Sequence, residues 1–447
     1  MKRINAKIKT FWGISDIGFS FMATMETSFF VYFLTDVSQL PLGIVALITG
    51  SSALIDAISA VLAGIVIDKA QLKKGKYRPW LLYCPPFVTV FFVLMFTKIG
   101  SNVTAGLLCG LGYVLSHFIW NISWTANRNL ISVLTDDTTE KAFLSSRIAM
   151  GATGGKLLAS YAVPALSSAL FGILGGIPAY TVIAIIVSVL FVCTYFTHYF
   201  ITDGYDTPED QINSKAVTFR DMGKSIVSNP HLIVFLCHDA IRLIAYYGVA
   251  AAASYYAKYL LGSAASAGVL LVFFNLGNII GSGFSQKAVA KWGTKKTNII
   301  GMLGFIVLHL VCYFVPANVF LISALLFVSQ LFFGMSYGLT SSMYAMCGTY
   351  SEWKNGGAAK GVIMSFCSLA IKIGVAVRGV LITAFLGFIA YDPNMTAATA
   401  EMQNGLKMLF VIVPVVILAV SMIPLLMFQL TDEKVASMEQ EITARRN

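Results

Sequence analysis

The chain has 447 residues, of which 57% are hydrophobic and 12% are charged, and its formal net charge at pH 7 is +10. Soluble globular domains carry about 25% charged residues, so this composition excludes a water-soluble globular protein. The seven cysteines are scattered through apolar runs without metal-binding spacing, and the sequence therefore predicts no metal site and no bound cofactor.

Apolar runs of about 20 residues recur along the chain, and each is long enough to cross roughly 30 Å of hydrocarbon. Runs such as 180–196 and 411–430 are continuously apolar, which excludes the alternating pattern of an outer-membrane β-barrel. Only α-helices then satisfy the backbone hydrogen bonds in lipid. The sequence predicts an all-α membrane protein with transmembrane helices at 11–35, 41–67, 80–98, 103–127, 146–171, 177–200, 232–259, 264–288, 297–315, 318–345, 361–389 and 405–430.

The loops between these twelve predicted helices alternate in charge. One set of loops contains few basic residues, mainly Lys98 and Lys258. The other set is basic and contains Lys69, Lys73, Lys74, Lys76, Arg78, Lys141, Lys215, Arg220, Lys224, Lys287, Lys291, Lys295, Lys296, Lys354, Lys360, Arg445 and Arg446. Because basic loops stay in the cytoplasm, the sequence predicts a multi-pass protein of the bacterial inner membrane with both termini cytoplasmic. The net positive charge follows from this bias, so no nucleic-acid partner is expected.

The long polar segment 202–229 divides the chain almost in half. The predicted domains are an N-terminal six-helix bundle (1–200), a cytoplasmic middle loop (201–230), a C-terminal six-helix bundle (231–430) and a cytoplasmic tail (431–447). A related loop follows the second and the eighth helix, with the sequences Asp68-Lys69…Gly75-Lys76-Tyr77-Arg78 and Gln286-Lys287…Gly293-Thr294-Lys295-Lys296. Repeated halves of this kind rock about a midplane site in secondary transporters.

Several predicted helices carry charged or strongly polar residues in their interior. A charge at mid-membrane costs about 2.5–3.5 kcal/mol on insertion scales, so each one is a candidate functional residue. These residues are Asp16 and Glu26; Ser52, Asp56 and Ser59; Asn121, Trp124, Asn127 and Arg128; Arg147 and Lys156; Asp239 and Arg242; and Ser365, Ser368, Lys372 and Arg378.

Cations on three of these helices, Arg128, Arg147 and Lys372, predict an anion-binding site, since Arg recognises carboxylate, sulfate or phosphate through a bidentate fork. Four aromatic residues could stack on a sugar ring: Tyr32, Trp120, Trp124 and Tyr337. Asp56 shares a helix face with Ser52 and Ser59 and predicts a cation or proton site. Some of these residues also have a structural interpretation. Asp239 and Arg242 can form an intrahelical ion pair, and Lys156 and Arg378 can extend toward the membrane surface or form structural ion pairs.

A set of short segments at consistent separations is typical of one transporter family. The segments are Tyr32-Phe-Leu-Thr35-Asp36-Val37, Asp56-Ala57-Ile58, Gly75-Lys-Tyr-Arg-Pro-Trp80, 130–137, Arg147, Gly293-Thr-Lys-Lys296, Tyr350-Ser-Glu352, Lys372-Ile-Gly374 and Gly387-Phe-Ile-Ala-Tyr391. Over nearly its whole length the chain resembles the glycoside–pentoside–hexuronide:cation symporters, a branch of the major facilitator superfamily that includes the melibiose and glucuronide permeases.

The resemblance implies roles for individual residues. Asp56 would be the carboxylate of the coupling cation, and Arg147 and Lys372 would be polar contacts near the sugar and cation sites. Tyr337 would be an aromatic sugar-lining residue, with Ser368 on the lining face beside Lys372.

Three departures from the family pattern concern the substrate and the cation. The second cation aspartate of the family is Ala60 here, and its first-helix sugar-binding aspartate falls at Ser20, although Asp16 lies one turn earlier. The fourth-helix stretch Asn-Ile-Pro-Tyr-Gly is replaced by 123–127, followed by Arg128. Fewer carboxylates and an added arginine favour an anionic solute over a neutral galactoside, and a single carboxylate favours H⁺ over Na⁺.

The sequence therefore predicts a symporter that moves a sugar-type solute, such as an anionic glycoside or hexuronide, by alternating access, with co-transported H⁺ or Na⁺ as its only accessory species. Loop residues Asp68, Arg78, Lys296 and Glu352 are expected to latch the cytoplasmic side. The expected partners are a small solute and membrane lipid, and the expected state is a monomer.

Alternative functions are an uncoupled facilitator of neutral glycosides and a lipid or lysolipid carrier of the same fold. A membrane enzyme or receptor is a further rival. Against an enzyme, the sequence contains no phosphate-binding loop, no HExxH motif and no nucleophile elbow.

Overall fold

The computed structural model describes residues 3–70, 72, 74–135, 137–206, 227–355, 360–394 and 398–446. All regular secondary structure within these residues is helical. Contacts within the chain define two compact units, Met1–Ala216 and Val217–Asn447, which we call the N-terminal unit and the C-terminal unit.

The described helices of the N-terminal unit begin with a short helix that precedes the first membrane segment. They are α1 (Ala6–Phe11), α2 (Ile14–Tyr32) with a π-helical turn (Phe33–Val37), α3 (Leu42–Lys69), α4 (Arg78–Met95), α5 (Asn102–Asn129), α6 (Ile131–Leu134), α7 (Thr138–Leu174) and α8 (Gly176–Ile201).

The described helices of the C-terminal unit end with a helix that follows the last membrane segment. They are α9 (Pro230–Tyr259), α10 (Ser266–Trp292), α11 (Thr294–Phe314), α12 (Val319–Tyr337), α13 (Thr340–Asn355), α14 (Lys360–Phe388), α15 (Ala400–Met427) and α16 (Asp432–Arg446).

Helix length and composition agree with a membrane protein. Within the described residues, eleven helical segments are long and apolar enough to cross a membrane, and the shorter apolar segment Leu42–Ser52 forms the first part of α3. The predicted all-α membrane fold is therefore confirmed.

The predicted tenth helix, 318–345, is interrupted in the structure. The helix α12 ends at Tyr337 and α13 begins at Thr340, so that Gly338 and Leu339 separate them. At the interruption, Gly338 packs so closely on α10 that an added Cβ atom would overlap the hydroxyl of Ser285. Hydropathy does not record such a tertiary contact, and the sequence analysis therefore missed the break.

Close helix contacts in both units depend on glycines spaced four residues apart. In α7, Gly151 and Gly155 face α2, and a Cβ atom at Gly151 would overlap the carbonyl oxygen of Gly13. In α10, Gly281 lies against the carbonyl oxygen of Leu331 of α12 in the same way. Small residues at this spacing allow helix backbones in a membrane to approach closely, so these pairs position α2 and α12 within their units.

The Gly75 loop before α4 is closed by a carboxylate from the end of α8. Gly75 has a φ of +107°, and the next three backbone amides, of Lys76, Tyr77 and Arg78, donate to Asp206 over 2.7–3.0 Å. A carboxylate at a helix N-terminus interacts favourably with the helix dipole. The loop thereby connects the start of α4 to the end of α8.

The C-terminal unit contains the same arrangement before α11. Gly293 has a φ of +76°, and Asp432, which follows α15, accepts hydrogen bonds from the backbone nitrogen of Thr294 at 2.8 Å and from its hydroxyl at 2.6 Å. The two loops that repeat in the sequence thus have matching caps, each supplied by an aspartate that follows the last membrane helix of its own unit.

Candidate functional site

An ion pair between α2 and α5 is the main charged feature of the N-terminal unit. Nη2 of Arg128 lies 2.7 Å from Oδ1 of Asp16, and the Asp16 side chain is only 1% exposed whereas that of Arg128 is 33% exposed. The hydroxyl of Ser15 donates to Oδ2 of Asp16 over 3.3 Å. The guanidinium lies 5.2 Å from the ring centroid of Trp124, within the range of a cation–π contact. The buried carboxylate therefore fixes a partly exposed cation beside an indole ring.

A second layer of hydrogen bonds supports this pair. The side-chain amide of Asn127 donates to Ser15 over 3.0 Å, and its carbonyl oxygen lies 2.8 Å from Nδ1 of His198 on α8. Trp12 stacks on the His198 ring with centroids 4.5 Å apart. These contacts connect α2, α5 and α8, and they position Ser15, which donates to Asp16.

No sequence pattern indicates a specific role for Asn127 or His198. Asn127 was visible as a polar residue next to Arg128, but its partners lie 112 and 71 residues away in the chain. No local pattern signals contacts across such separations, so only the folded structure could identify them.

Aromatic side chains form a continuous series along α5. The rings of Tyr113 and His117 stack at 4.0 Å, and those of His117 and Trp120 at 4.7 Å. Phe19 of α2 contacts Trp120 edge-on at 4.8 Å and lies 6.0 Å from Trp124. Trp120 is buried whereas Trp124 is partly exposed, so of these two predicted stacking residues Trp124 has the accessible surface.

The carboxylate of Asp56 on α3 is held by α5. The side-chain amide of Asn121 donates to Oδ1 of Asp56 over 2.7 Å and to the hydroxyl of Ser59 over 2.9 Å. The Ser59 hydroxyl in turn donates to the backbone oxygen of Asp56 over 2.8 Å. Asp56, Ser59 and the predicted neighbour Ser52 are all buried. Asn121 is a functional candidate that the sequence analysis left without a role, although its position on the Trp124 and Arg128 face was a signal.

The remaining candidates of the N-terminal unit are Arg147, Ser20 and Tyr32. Arg147 of α7 is partly buried, with its guanidinium 5.1 Å from the Phe143 ring and its Nε buried without a hydrogen-bond partner. Ser20 lies one turn beyond Asp16 on α2 and is partly exposed, whereas Tyr32 is buried at the end of the helix.

The candidates of the C-terminal unit lie on α12 and α14. Tyr337 is partly buried at the end of α12, and its ring is parallel to that of Tyr246 at 6.0 Å. On α14, Ser368 is exposed and Lys372 is partly buried.

One interpretation of the sequence is an intrahelical ion pair between Asp239 and Arg242. The structure contains this ion pair, and both side chains are fully buried.

The predicted latch residues have the following contacts. Nε of Arg78 donates to the backbone oxygen of Tyr199 over 2.8 Å, and Nη2 lies 2.7 Å from Oδ1 of Asp203. The side chain of Asp68 lies outside the described residues. Lys296 is exposed near the start of α11, and Glu352 is buried near the end of α13. Arg78 therefore joins the capped loop of α4 to the end of α8.

Comparison with known proteins identifies the family. The family model described as MFS/sugar transport protein matches residues 11–432. The chain is 26% identical over 456 residues to the uncharacterized symporter YjmB of Bacillus subtilis, covering 99% of this chain and 96% of the relative. It is also 26% identical over 441 residues to the isoprimeverose transporter of Lactiplantibacillus pentosus, covering 96% and 90%. These matches confirm the resemblance to the sugar:cation symporters.

A solved structure shares the fold. It is that of a bacterial homologue of the human lysosomal transporter Spinster, with a TM-score of 0.69 at 13% identity over 94% of this chain and 95% of that chain. At this identity the likeness concerns the fold alone. Because the family model spans almost the entire chain, the protein belongs to the MFS/sugar transport protein family and is a membrane transport protein rather than an enzyme.

Proposed function

We propose that this protein is a symporter that moves an anionic sugar-type solute, such as a hexuronide or another acidic glycoside, together with a cation, for which H⁺ is favoured over Na⁺. It works by alternating access in the bacterial inner membrane, with both termini in the cytoplasm. The accessory species is the co-transported cation alone, and the functional unit is a monomer. The names of the relatives support a sugar:cation symporter. The residues of this chain favour a negatively charged solute and H⁺ as the co-transported cation.

The single observation that carries the anionic substrate is the Asp16–Arg128 pair. Asp16 accepts a hydrogen bond from Nη2 of Arg128, whose guanidinium has five N–H donors in all. The Arg128 side chain is 33% exposed. Nε of Arg128 is buried, but a carboxylate or sulfonate could accept hydrogen bonds from the remaining Nη donors, since a guanidinium binds oxyanions through parallel N–H bonds. The partly exposed ring of Trp124 beside the guanidinium would stack on the sugar.

Further contacts to the solute are proposed from residues whose roles rest on the family resemblance. They are Ser20, Arg147, Tyr337, Ser368 and Lys372. The loop residues Arg78, Asp68, Lys296 and Glu352 are proposed to close the cytoplasmic side. The caps of the two repeated loops support a gating role, because each cap fixes the start of one helix to the end of another.

Asp56 and its neighbours favour H⁺ as the coupling cation. Asp56 accepts a hydrogen bond from the side-chain amide of Asn121 and lies beside the hydroxyl of Ser59. The position of the family's second cation-binding aspartate is occupied by Ala60 in this sequence. Hard cations without a preferred geometry are held by several oxygen ligands at once. A single carboxylate with an amide N–H donor suits reversible protonation better, because a proton needs one oxygen only.

Coupling between the two sites would pass along α5. Asn121, which binds Asp56, and Arg128, which binds Asp16, are seven residues apart on one helix face, or roughly 10 Å at 1.5 Å per residue. Neutralisation of Asp56 weakens its hydrogen bond with Asn121, and a small movement of α5 would then change the orientation of Arg128 toward the solute.

The test is uptake into proteoliposomes that contain the purified protein. Glucuronides, galacturonides and neutral glycosides are compared under an inward proton gradient, an inward Na⁺ gradient, and no gradient. We expect concentrative uptake of the acidic sugars with the proton gradient and no effect of Na⁺. Preferential uptake of neutral glycosides would contradict the anionic substrate, and uptake that never exceeds equilibrium would identify the uncoupled facilitator. Competition by lysolipids but not by sugars would favour the lipid carrier.

A further inference from the structure

A buried polar cluster in the C-terminal unit takes no part in the function proposed above. Asp239 and Arg242 lie three residues apart on α9, and both side chains are 0% exposed. Nη2 of Arg242 binds Oδ1 of Asp239. Buried ion pairs add little stability compared with apolar residues of the same size, because desolvation offsets their attraction, and the best-attested use of such groups is in specificity and switching. Ionisable groups within membrane segments are therefore candidates for function.

Arg242 contacts both sides of the break between α12 and α13. Nη1 donates to the hydroxyl of Ser336 over 3.0 Å, in the last turn of α12. Nη2 donates to the hydroxyl of Thr340 over 2.8 Å, in the first turn of α13. Gly338 and Leu339 lie between these two residues. The guanidinium thus joins α12 and α13 across the turn formed by Gly338 and Leu339, and Asp239 orients the guanidinium.

The two helices that meet at the break both contact Asn298 of α11, and each also has a neighbour of its own. Beside the break, α12 is bound to α10, since Ser285 donates to the carbonyl oxygen of Met335 over 2.9 Å. The helix α13 is bound to the C-terminal helix α16, where the indole N–H of Trp353 donates to Glu441 over 2.7 Å. Loss of the hydrogen bonds from Arg242 would therefore remove a direct link between α12 and α13.

Asp239 has a second contact that accommodates a proton. Its Oδ2 accepts from the hydroxyl of Tyr344 over 3.1 Å, and that hydroxyl also lies 3.4 Å from the backbone oxygen of Phe366 on α14. A proton added to Oδ2 would donate to the oxygen of Tyr344, whose own proton would turn to Phe366. The carboxyl group of Asp239 and the hydroxyl of Tyr344 each keep a hydrogen-bond partner in this arrangement, whereas Arg242, whose Nε is already buried without one, loses its counter-charge.

Groups from α9, α13 and α14 surround Asp239. Arg242 is on its own helix, Tyr344 is on α13, and the thiol of Cys367 on α14 is within electrostatic range. Beside it on α9, His238 contacts the backbone oxygen of Ser421 on α15 over 2.8 Å, and Asn298 of α11 at 3.5 Å. Asp239 is thus the group whose protonation would most change the charge of the cluster.

We propose that Asp239 is a proton-binding site of the C-terminal unit, and that proton uptake there loosens the hold of Arg242 on the α12–α13 break so that α13 turns at Gly338. This proton-binding carboxylate is distinct from Asp56, and its effect on α13 does not require the solute.

The first test is a pH titration of the purified, lipid-reconstituted protein by infrared difference spectroscopy, which detects the carbonyl band of a protonated carboxylic acid. We expect a band in the wild type that persists in Asp56→Asn and is lost in Asp239→Asn. The variant Tyr344→Phe keeps both charges and should shift the midpoint of that band. A titration that is identical in the wild type, Asp239→Asn and Tyr344→Phe would overturn the proposal.

Asp239→Asn alone leaves Arg242 buried without its counter-ion, which is strongly destabilising. The double variant Asp239→Asn/Arg242→Gln removes both charges and serves as the folded comparison. Hydrogen exchange of the segment 340–355, corrected for the intrinsic effect of pH, reports the movement. We expect protection of this segment to fall on acidification in the wild type and in Asp56→Asn, and this response to be absent in the double variant.

A response retained in the double variant, or absent in the wild type, would show that the pair is structural only. Because no solute is used, this outcome is independent of whether the proposed substrate and the Asp56 coupling site are correct.

Discussion

Asn121 and Arg128 lie two turns apart on one face of α5, and each binds a carboxylate of a different helix. Asn121 donates to Asp56 of α3 over 2.7 Å, and Arg128 binds Asp16 of α2, also at 2.7 Å. One helix therefore holds both the candidate cation site and the candidate solute site. Changes at the two carboxylates are expected to have different effects on transport.

Substitution of Asp56 by Asn should separate coupling from binding. The variant keeps the shape of the side chain but cannot take up a proton, so uphill accumulation in vesicles should be abolished while solute exchange is partly retained. A matched control is Asp392→Asn, since Asp392 is exposed and its carboxylate accepts a hydrogen bond from the backbone nitrogen of Asn394. Full accumulation by Asp56→Asn would remove this residue from the coupling mechanism.

Opposite effects are expected at Arg128 and Asp16. Arg128→Ala removes the charged donor, and because hydrogen bonds to charged groups contribute about 1.5–3 kcal/mol, binding of acidic glycosides should weaken roughly 10- to 100-fold. Asp16→Asn leaves the guanidinium without its counter-ion and should strengthen binding of the same ligands. The measurement is calorimetric or thermal-shift titration with acidic and neutral glycosides. Equal losses for both ligand classes in Arg128→Ala would indicate a structural arginine.

The contact between α7 and α2 should be sensitive to a single methyl group. In an ordinary helix, Gly→Ala is stabilising by about 0.5–1 kcal/mol. At Gly151 the added Cβ atom would overlap the carbonyl oxygen of Gly13, so Gly151→Ala should instead lower the thermal unfolding temperature. The control is Gly154→Ala on the same helix, where nothing lies within 4 Å of the added atom. If both variants unfold at the same temperature, the close contact is not important for stability.

The attachment of the N-terminal segment should depend on pH through Glu140. Oε2 of Glu140 accepts from Thr135 over 2.8 Å and from the backbone nitrogen of Ile4 over 3.1 Å, and Oε1 lies 3.2 Å from Lys9. The hydrogen bond from Thr135, then that from Ile4, lowers the pKa of Glu140 below its usual 4.5. A lowered pKa in the folded state contributes stability that is complete above the unfolded value and is lost as the pH falls through the folded one.

Hydrogen exchange of residues 3–12 measures this attachment. Protection should be constant at neutral pH, decrease as the pH falls below 4.5, and already be low in Glu140→Gln at neutral pH. Wild-type protection that is unchanged on acidification, or that is retained in Glu140→Gln, would contradict the role of the carboxylate.

Hydropathy identified the membrane helices because a span of lipid requires about 20 apolar residues in succession, which is a local property of the chain. The pair Asp239–Arg242 could also be expected from the sequence, since residues three apart on a helix are neighbours. The family segments indicated the class of protein. The break at Gly338 and the extension of α13 to Asn355 were missed, because contacts with α10 and α16 determine them.

The sequence by itself determined that this is a helical membrane transporter with ionisable groups inside its helices, since both properties follow from composition and local spacing. Only the tertiary structure decided that Arg128 pairs with Asp16, 112 residues away, and that Asn121 pairs with Asp56, 65 residues away. The partner of a buried polar side chain depends on which helix faces meet. The close approach of helix backbones, not the order of residues along one helix, determines those faces.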